Sequence, residues 1–268
     1  MKVKIINKRL WSNFIKAISI ITSILSFVLV FIDIEQKCRE ILLLYFVLPL
    51  LMIIFVIMLI RANNKKTKHF KINNTNINIF YGDIFKQEGF KVIAFNDFFD
   101  TKVDDKIISK KSLNGIYINS HSAGAKAIDN AIDSENSLKE SIIKENVTRQ
   151  CGGKTTQYKL GTICSNDDYL LLAFSHFDSD NRAYLSFEDY ISCLATMWNE
   201  LDKHHNGRAI TIPLLGSGIT RINDNKITPQ ELLKYIIFTF RASKVKFISS
   251  LSIVLDEKIK DEINLYDL

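Results

Sequence analysis

Two long apolar segments dominate the hydropathy pattern, Ala17–Ile32 and Ile41–Ile60, and nothing like them recurs along the chain. A helix rises about 1.5 Å per residue, so the second segment reaches roughly 30 Å, the thickness of a bilayer's hydrocarbon core. It carries no charge and one proline, Pro49. The first segment is shorter but spans when extended back to Phe14 with Lys16 snorkelling to the headgroups. The pattern predicts spans over residues 14–32 and 41–60, with Asp33 to Glu40 as a tight turn between antiparallel helices. Asn63–Asn76 is polar and basic, has no apolar period, and reads as a juxtamembrane linker.

Beyond it the chain alternates strand and helix signals. Ile77, Ile79 and Tyr81 alternate with Asn76, Asn78 and Phe80, a strand that stops at Gly82. Lys91–Asn96 predicts a buried strand and Gly115–Ile118 a short one, with a helix from Ala125 to Glu145. Gln157–Cys164 and Tyr169–Ser175 read as a hairpin around Asn166-Asp167-Asp168. Ser186 is placed to cap a long helix that Gly207 ends. Ala209–Pro213 is a core strand. Thr228-Pro229-Gln230-Glu231 is a capping box opening a helix to about Ala242. Lys246–Leu255 predicts a strand and Asp256–Tyr266 a final short helix. The expected organisation is a two-helix hairpin (1–62), a linker (63–75) and an α/β/α domain with a mixed sheet (76–268).

Charge sharpens this division. The chain carries +6 overall, yet residues 1–71 carry +9 and residues 72–268 carry −3. The basic excess therefore belongs to the membrane flanks, where it meets anionic lipid, and the globular part has no basic stripe to favour nucleic acid. Lys2, Lys4, Lys8, Arg9 and Lys16 precede the hairpin; Arg61, Lys65, Lys66, Lys68 and Lys71 follow it. The turn has Lys37 and Arg39, offset by Asp33, Glu35 and Glu40. Both termini are expected in the cytoplasm and the turn outside. A cleaved signal peptide fits poorly, since a second span follows at once and no small-x-small site is present. Cys38 lacks a lipoprotein context. Cys38, Cys151, Cys164 and Cys193 form no CxxC pair and read as reduced thiols. His69, His121, His176, His204 and His205 have no metal-ligand spacing, so no metal site is expected.

In such folds ligands bind at the carboxyl ends of strands, and three loops there carry candidate chemistry. Gly82-Asp83-Ile84-Phe85 places Asp83 as an acceptor for an amine such as that of adenine, or is merely a turn. Asn96-Asp97-Phe98-Phe99-Asp100-Thr101 sets two aromatics between acids. Phe98 and Phe99 either wall a pocket for a ring or sit in the core. In Leu215-Gly216-Ser217-Gly218-Ile219-Thr220-Arg221, the glycines let backbone N–H groups turn toward a diphosphate, and Arg221 either clamps it or points to solvent.

These loops, in this order, resemble the macro domain, the fold that holds ADP-ribose, over about Asn76 to Leu255. The Gly-Asp-Ile turn is similar to the family's adenine-contacting turn, and Leu215–Thr220 to its diphosphate loop. The resemblance implies ligand contacts from Asp83, Ile84, Asn96, Phe98, Phe99, Asp100 and Leu215 through Arg221. ADP-ribose hydrolases of the family carry a glycine-rich loop around the distal ribose. Here that region reads Phe95 to Asp105 without a glycine run, and Asn96 stands at the place of one family asparagine. Phe95–Asp100, Val103–Gly115 and Ile212–Arg221 resemble a bacterial subfamily behind two transmembrane helices, which includes the membrane effector of one type of the Thoeris antiphage system. That resemblance implies a TIR-domain partner acting through its nucleotide product, an ADP-ribose derivative such as an amino-acid or imidazole conjugate. It further implies self-assembly and membrane damage.

Three functions remain in competition. One is a signal-gated membrane effector without catalytic residues. The second is a tethered ADP-ribosyl hydrolase, with Asp97, Asp100, Asp104 or Asp105 activating a water. The third is a scaffold with a vestigial pocket.

Overall fold

The computed structural model describes residues 3–32, 35–120, 124–150, 152–222 and 227–268. Lys2, Asp33, His121 and Cys151, each weighed above, lie outside the described residues. The chain divides into two units, Met1–Lys68 with Ile263–Leu268, and His69–Glu262.

In the first unit, helix α1 runs Lys8–Val30, earlier than hydropathy predicts, because the Asn7 side chain accepts from the Leu10 N–H and caps it. Gln36–Leu42 (α2), a π-helical turn over Leu43–Val47 and Leu48–Asn63 (α3) follow in succession. The wide turn precedes Pro49, whose ring lacks an N–H and crowds the preceding carbonyls. The turn expected at Asp33–Glu40 is thus shorter: Gln36 to Glu40 are helical, because polarity alone does not break a helix of such residues. Among the described residues two helices, Lys8–Val30 and Gln36–Asn63, are long and apolar enough to cross a membrane. Their Ser19, Thr22 and Ser23 hydroxyls donate to carbonyls of their own helix. At the foot, Val3, Leu10 and Ala62 pack with Phe55, Met58, Leu59 and Tyr266.

Residues 63–76 do not form a structureless linker. Thr67–Ile72 is strand β1, and it turns at Asn73 and Asn74, both with positive φ, into β2 (Thr75–Tyr81). Asparagine tolerates that conformation, and β1 has a polar exposed side, so hydropathy hides it. A 3-10 turn, Ile84–Lys86, leads to β3 (Phe90–Asn96). Gly115–Ile118, expected as a strand, lies in helix α4 (Leu113–Ser120); the Ser112 hydroxyl accepts from the Gly115 N–H at its start. A short apolar run does not distinguish the two. The helix expected from Ala125 to Glu145 is broken into α5 (Gly124–Ser134) and α6 (Asn136–Lys139), then strand β4 (Ile142–Lys144).

The predicted hairpin keeps its turn but loses part of its first arm. Gln157–Tyr158 (β5) pairs with β4, while β6 (Ile163–Asn166) pairs antiparallel with β7 (Tyr169–Phe177). After β8 (Ala183–Leu185) come α7 (Phe187–His204), capped by Ser186, β9 (Ile210–Pro213) and β10 (Arg221–Ile222). The capping box at Thr228 opens α8 (Pro229–Ser243). Strand β11 covers only Leu251–Leu255, and the final helix reduces to a 3-10 segment, Glu257–Glu262.

The main sheet has order β1-β2-β11-β9-β3-β7-β8-β10, with β6 on β7. Strands β2, β11, β9, β3 and β7 are mutually parallel. Their carboxyl ends therefore open on one edge. Ile93, Phe95, Leu171 and Ala173 pack against Tyr117 and Ile118 of α4 and Ile128 and Ile132 of α5. Side chains alternate along a strand, so Phe174 faces the other way and meets Tyr190 of α7 at 6.0 Å between ring centres. The Trp198 indole of α7 donates to Thr239 of α8 at 3.0 Å. The unit is a mixed sheet between helical layers, as the alternation of elements predicts.

Candidate functional site

A cleft of about 940 Å³ lies along that edge of the sheet. The first wall is the turn after β2. The Gly82 N–H donates to the Leu255 carbonyl at 3.0 Å, tying it to the end of β11. Asp83 accepts from the Phe85 N–H at 2.9 Å and caps the short turn that follows. Asp83 is exposed, Ile84 is buried, and both line the cleft.

The loop after β9 forms the floor. The Ser217 N–H and hydroxyl both donate to the Leu214 carbonyl, and the Tyr190 hydroxyl donates to the Leu215 carbonyl at 3.1 Å. Gly216 has φ +87°, and a Cβ there would stand 2.7 Å from Ile222 Cδ1. A Cβ at Gly218 would meet no atom within 4 Å. The N–H groups of Gly218, Ile219 and Thr220 donate to no other described residue. Leu215 through Arg221 all line the cleft. Successive N–H groups in such a loop can take an anion's oxygens.

The loop after β3 is built differently from expectation. Asn96 lines the cleft, but Phe98, Phe99 and Asp100 are buried and lie outside its lining. Phe99 packs edge-on to Tyr158 at 5.3 Å within the core. Phe98 lies under the Arg149 guanidinium at 4.4 Å. Asp100 pairs with Arg149 Nη1 at 2.6 Å and accepts from the Lys154 N–H at 2.7 Å. The Asn96 amide nitrogen donates to Asp100 Oδ2 at 2.6 Å, and its oxygen accepts from the Asp100 N–H at 2.9 Å. The aromatic spacing was ambiguous between core and pocket, and burial decided for the core.

Sequence reasoning assigned no ligand contact to two further walls. Asp105–Ser109 and Lys111–Asn114 form one; Asp180–Ala183, leading from β7 into the start of β8, forms the other. The first falls within the Val103–Gly115 subfamily segment, a signal that was present. The second had none, because a polar turn between two strands looks like any loop. Together these walls bring Lys106, Lys111 and Arg182 to the lining. Lys258 and the acidic Asp256 and Glu257 line it after β11.

The four candidate acids have distinct environments. Asp97 is fully buried and accepts from Gln157 Nε2 and from His176 Nδ1, each at 2.6 Å. That bond raises the His176 pKa above its ordinary value, against the lowering effect of burial. Asp104 accepts from the Ile107 and Lys106 N–H groups, which pull its pKa to about 2. Asp105 lines the cleft; the Lys110 N–H and side chain lower its pKa. A carboxylate so held is a poor general base. Burial pushes the Cys164 thiol to about 12 and raises that of Cys193, so neither is an activated nucleophile. Among the described residues no group of three His, Cys, Asp or Glu side chains could hold a metal ion.

The family model described as the Thoeris protein ThsA macro domain matches residues 77–256. The Thoeris protein ThsA of Bacillus amyloliquefaciens strain Y2 is 39% identical over 255 residues, 94% of this chain and 85% of that protein. Among solved structures, a mutant form of the Oceanobacillus iheyensis macrodomain is similar with a TM-score of 0.49 at 13% identity, over 76% of this chain and 95% of that one. Another mutant form, with ADPR, gives a TM-score of 0.47 at 12% identity over 75% and 95%.

Proposed function

The chain belongs to the Thoeris ThsA macro-domain family, and from that premise we propose a membrane-anchored sensor that binds its nucleotide and does not hydrolyse it. It acts in antiphage defence, and its macro domain binds an ADP-ribose-derived ligand. A TIR-domain partner supplies that ligand as its product. The adenine end lies against Asp83 and Ile84, and the diphosphate on the Leu215–Thr220 loop, through the N–H groups of Gly218, Ile219 and Thr220. Lys106, Lys111 and Arg182 favour a ligand with further acceptor or anionic groups, such as an amino-acid or imidazole conjugate of ADP-ribose. The two apolar helices span the bacterial cell membrane, with both termini and the macro domain on the basic, cytoplasmic side. Ligand binding drives hairpins together, and the assembled hairpins damage the bilayer. A ligand does this only by binding the assembled state more tightly than the dispersed one.

One observation carries the sensor reading over the hydrolase reading. Both polar ends of the Asn96 amide are engaged by Asp100. Of the four candidate acids, only Asp105 lines the cleft. It is held as a stabilised carboxylate. Titration calorimetry of the full-length chain in detergent with ADP-ribose and its conjugates tests binding, and ligand-dependent oligomers and permeabilised vesicles test the output. Steady release of free ADP-ribose from an ADP-ribosylated protein or ester, lost in Asp105→Ala, would reverse the assignment in favour of a hydrolase.

A further inference from the structure

Arg149 does not line the cleft, yet it holds three residues that do. Its side chain is 9% exposed, and Nη1 pairs with Asp100 Oδ2 at 2.6 Å. Through Asp100 that bond fixes the Asn96 amide. Nη2 donates to Asn181 Oδ1 at 2.9 Å, and the guanidinium carbon lies 6.0 Å from the Phe177 ring centre. Asn96, Phe177 and Asn181 all line the cleft. The same cation also donates to the Lys154 carbonyl at 3.1 Å. Asn181 Nδ2 is buried without a partner among the described residues. A buried donor left unpaired is costly, so Asn181 is oriented by Arg149 and not by its own satisfaction.

We infer that Arg149 is the positioning residue of this binding cleft, setting the walls at Asn96 and Asn181 before ligand arrives. The inference rests on the ligand-binding reading above. A planar guanidinium with several donors in a fixed fork serves Asp100, Lys154 and Asn181 at once. A lysine keeps the charge opposite Asp100 but offers a single point. Loosened walls must then be ordered by the ligand, which weakens binding.

The test is ADP-ribose titration into the full-length chain, with melting temperature recorded alongside. Arg149→Lys and Asn181→Ala are each expected to weaken binding on the order of tenfold. The double variant is expected to lose about tenfold as well, because both act through one path. A residue with only a structural role would lower the melting temperature and leave the affinity of the folded protein unchanged. Unchanged affinity in folded Arg149→Lys, or a hundredfold additive loss in the double variant, overturns the inference. If Arg149→Lys does not fold, Asn181→Ala decides alone, since it leaves the Asp100 pair intact; unchanged affinity there is equally fatal. Wild-type protein that binds no ADP-ribose removes the ligand reading and this inference together, whereas binding by wild type and variants alike removes only the inference.

Discussion

Two glycines in the loop after β9 make opposite predictions, and the contrast tests the binding role proposed for that loop. At Gly216 the backbone has φ +87°, and a Cβ would stand 2.7 Å from Ile222 Cδ1 and 3.3 Å from Leu232 Cδ2. Placing an L residue in the left-handed region costs about 1–2 kcal/mol. Gly216 is half-buried, but overpacking against the buried Ile222 and Leu232 side chains costs about 1–3 kcal/mol more. Gly216→Val should therefore destabilise the domain by roughly 2–5 kcal/mol. For a domain of this size each kcal/mol moves the melting temperature by about 2–4 °C, so the fall should be roughly 4–20 °C. At Gly218 a Cβ meets nothing within 4 Å. Gly218→Val should change stability by less than about 0.5 kcal/mol. Its branched side chain, however, stands where backbone N–H groups must approach a phosphate. Calorimetry should show ADP-ribose affinity falling at least about thirtyfold, with the melting temperature nearly unmoved. If Gly218→Val binds as tightly as wild type, the diphosphate does not sit on this loop.

Asp83→Ala should weaken ADP-ribose binding by about 1–3 kcal/mol through a lost acceptor. Because Asp83 also caps a 3-10 turn, Asp83→Asn, which keeps a capping oxygen, separates the two roles; full retention of affinity in both variants would move the adenine elsewhere. The raised His176 pKa, due first to its bond with Asp97, means that folding favours the protonated ring. That stability is complete below the unfolded pKa of about 6.5 and is lost as pH rises through the folded value. Melting temperature relative to His176→Gln should accordingly decline above that pH, and parallel profiles for the two proteins would contradict it. Replacing Ser19, Ser23 and Ser26 with leucine should preserve insertion and ligand affinity but abolish ligand-induced oligomers and toxicity, if this small polar line is a helix contact face. Persisting assembly and killing would exclude that face, and equal toxicity from a chain lacking the hairpin would defeat the effector mechanism.

Elements announced by local chemistry were legible from the chain. The apolar helices, the Ser186 and Thr228 caps, the buried strands at Lys91–Asn96 and Ala209–Pro213, and the glycine-bearing loop Leu215–Arg221 all rest on short-range signals. A capping hydroxyl, a run of branched residues or a glycine acts within a few positions of itself, so its consequence can be read there. The elements that were missed or misassigned lack such a signal. Strand β1 exists because β2 lies beside it, and Gly115–Ile118 is helical because of the neighbours that cover it.

The site divides along the same line. That Asp83 and the Gly216–Gly218 loop line the cleft follows from strand ends and backbone freedom, both local. That Phe98, Phe99 and Asp100 turn inward, and that Asp105–Asn114 and Asp180–Ala183 complete the cleft, was decided by the tertiary structure. Arg149 lies far along the chain from Asp100 and Asn181, and its buried cation demands their partnership only once folding brings the three together. The cost of burying a charge or an unpaired amide depends on surroundings that no neighbouring residue specifies.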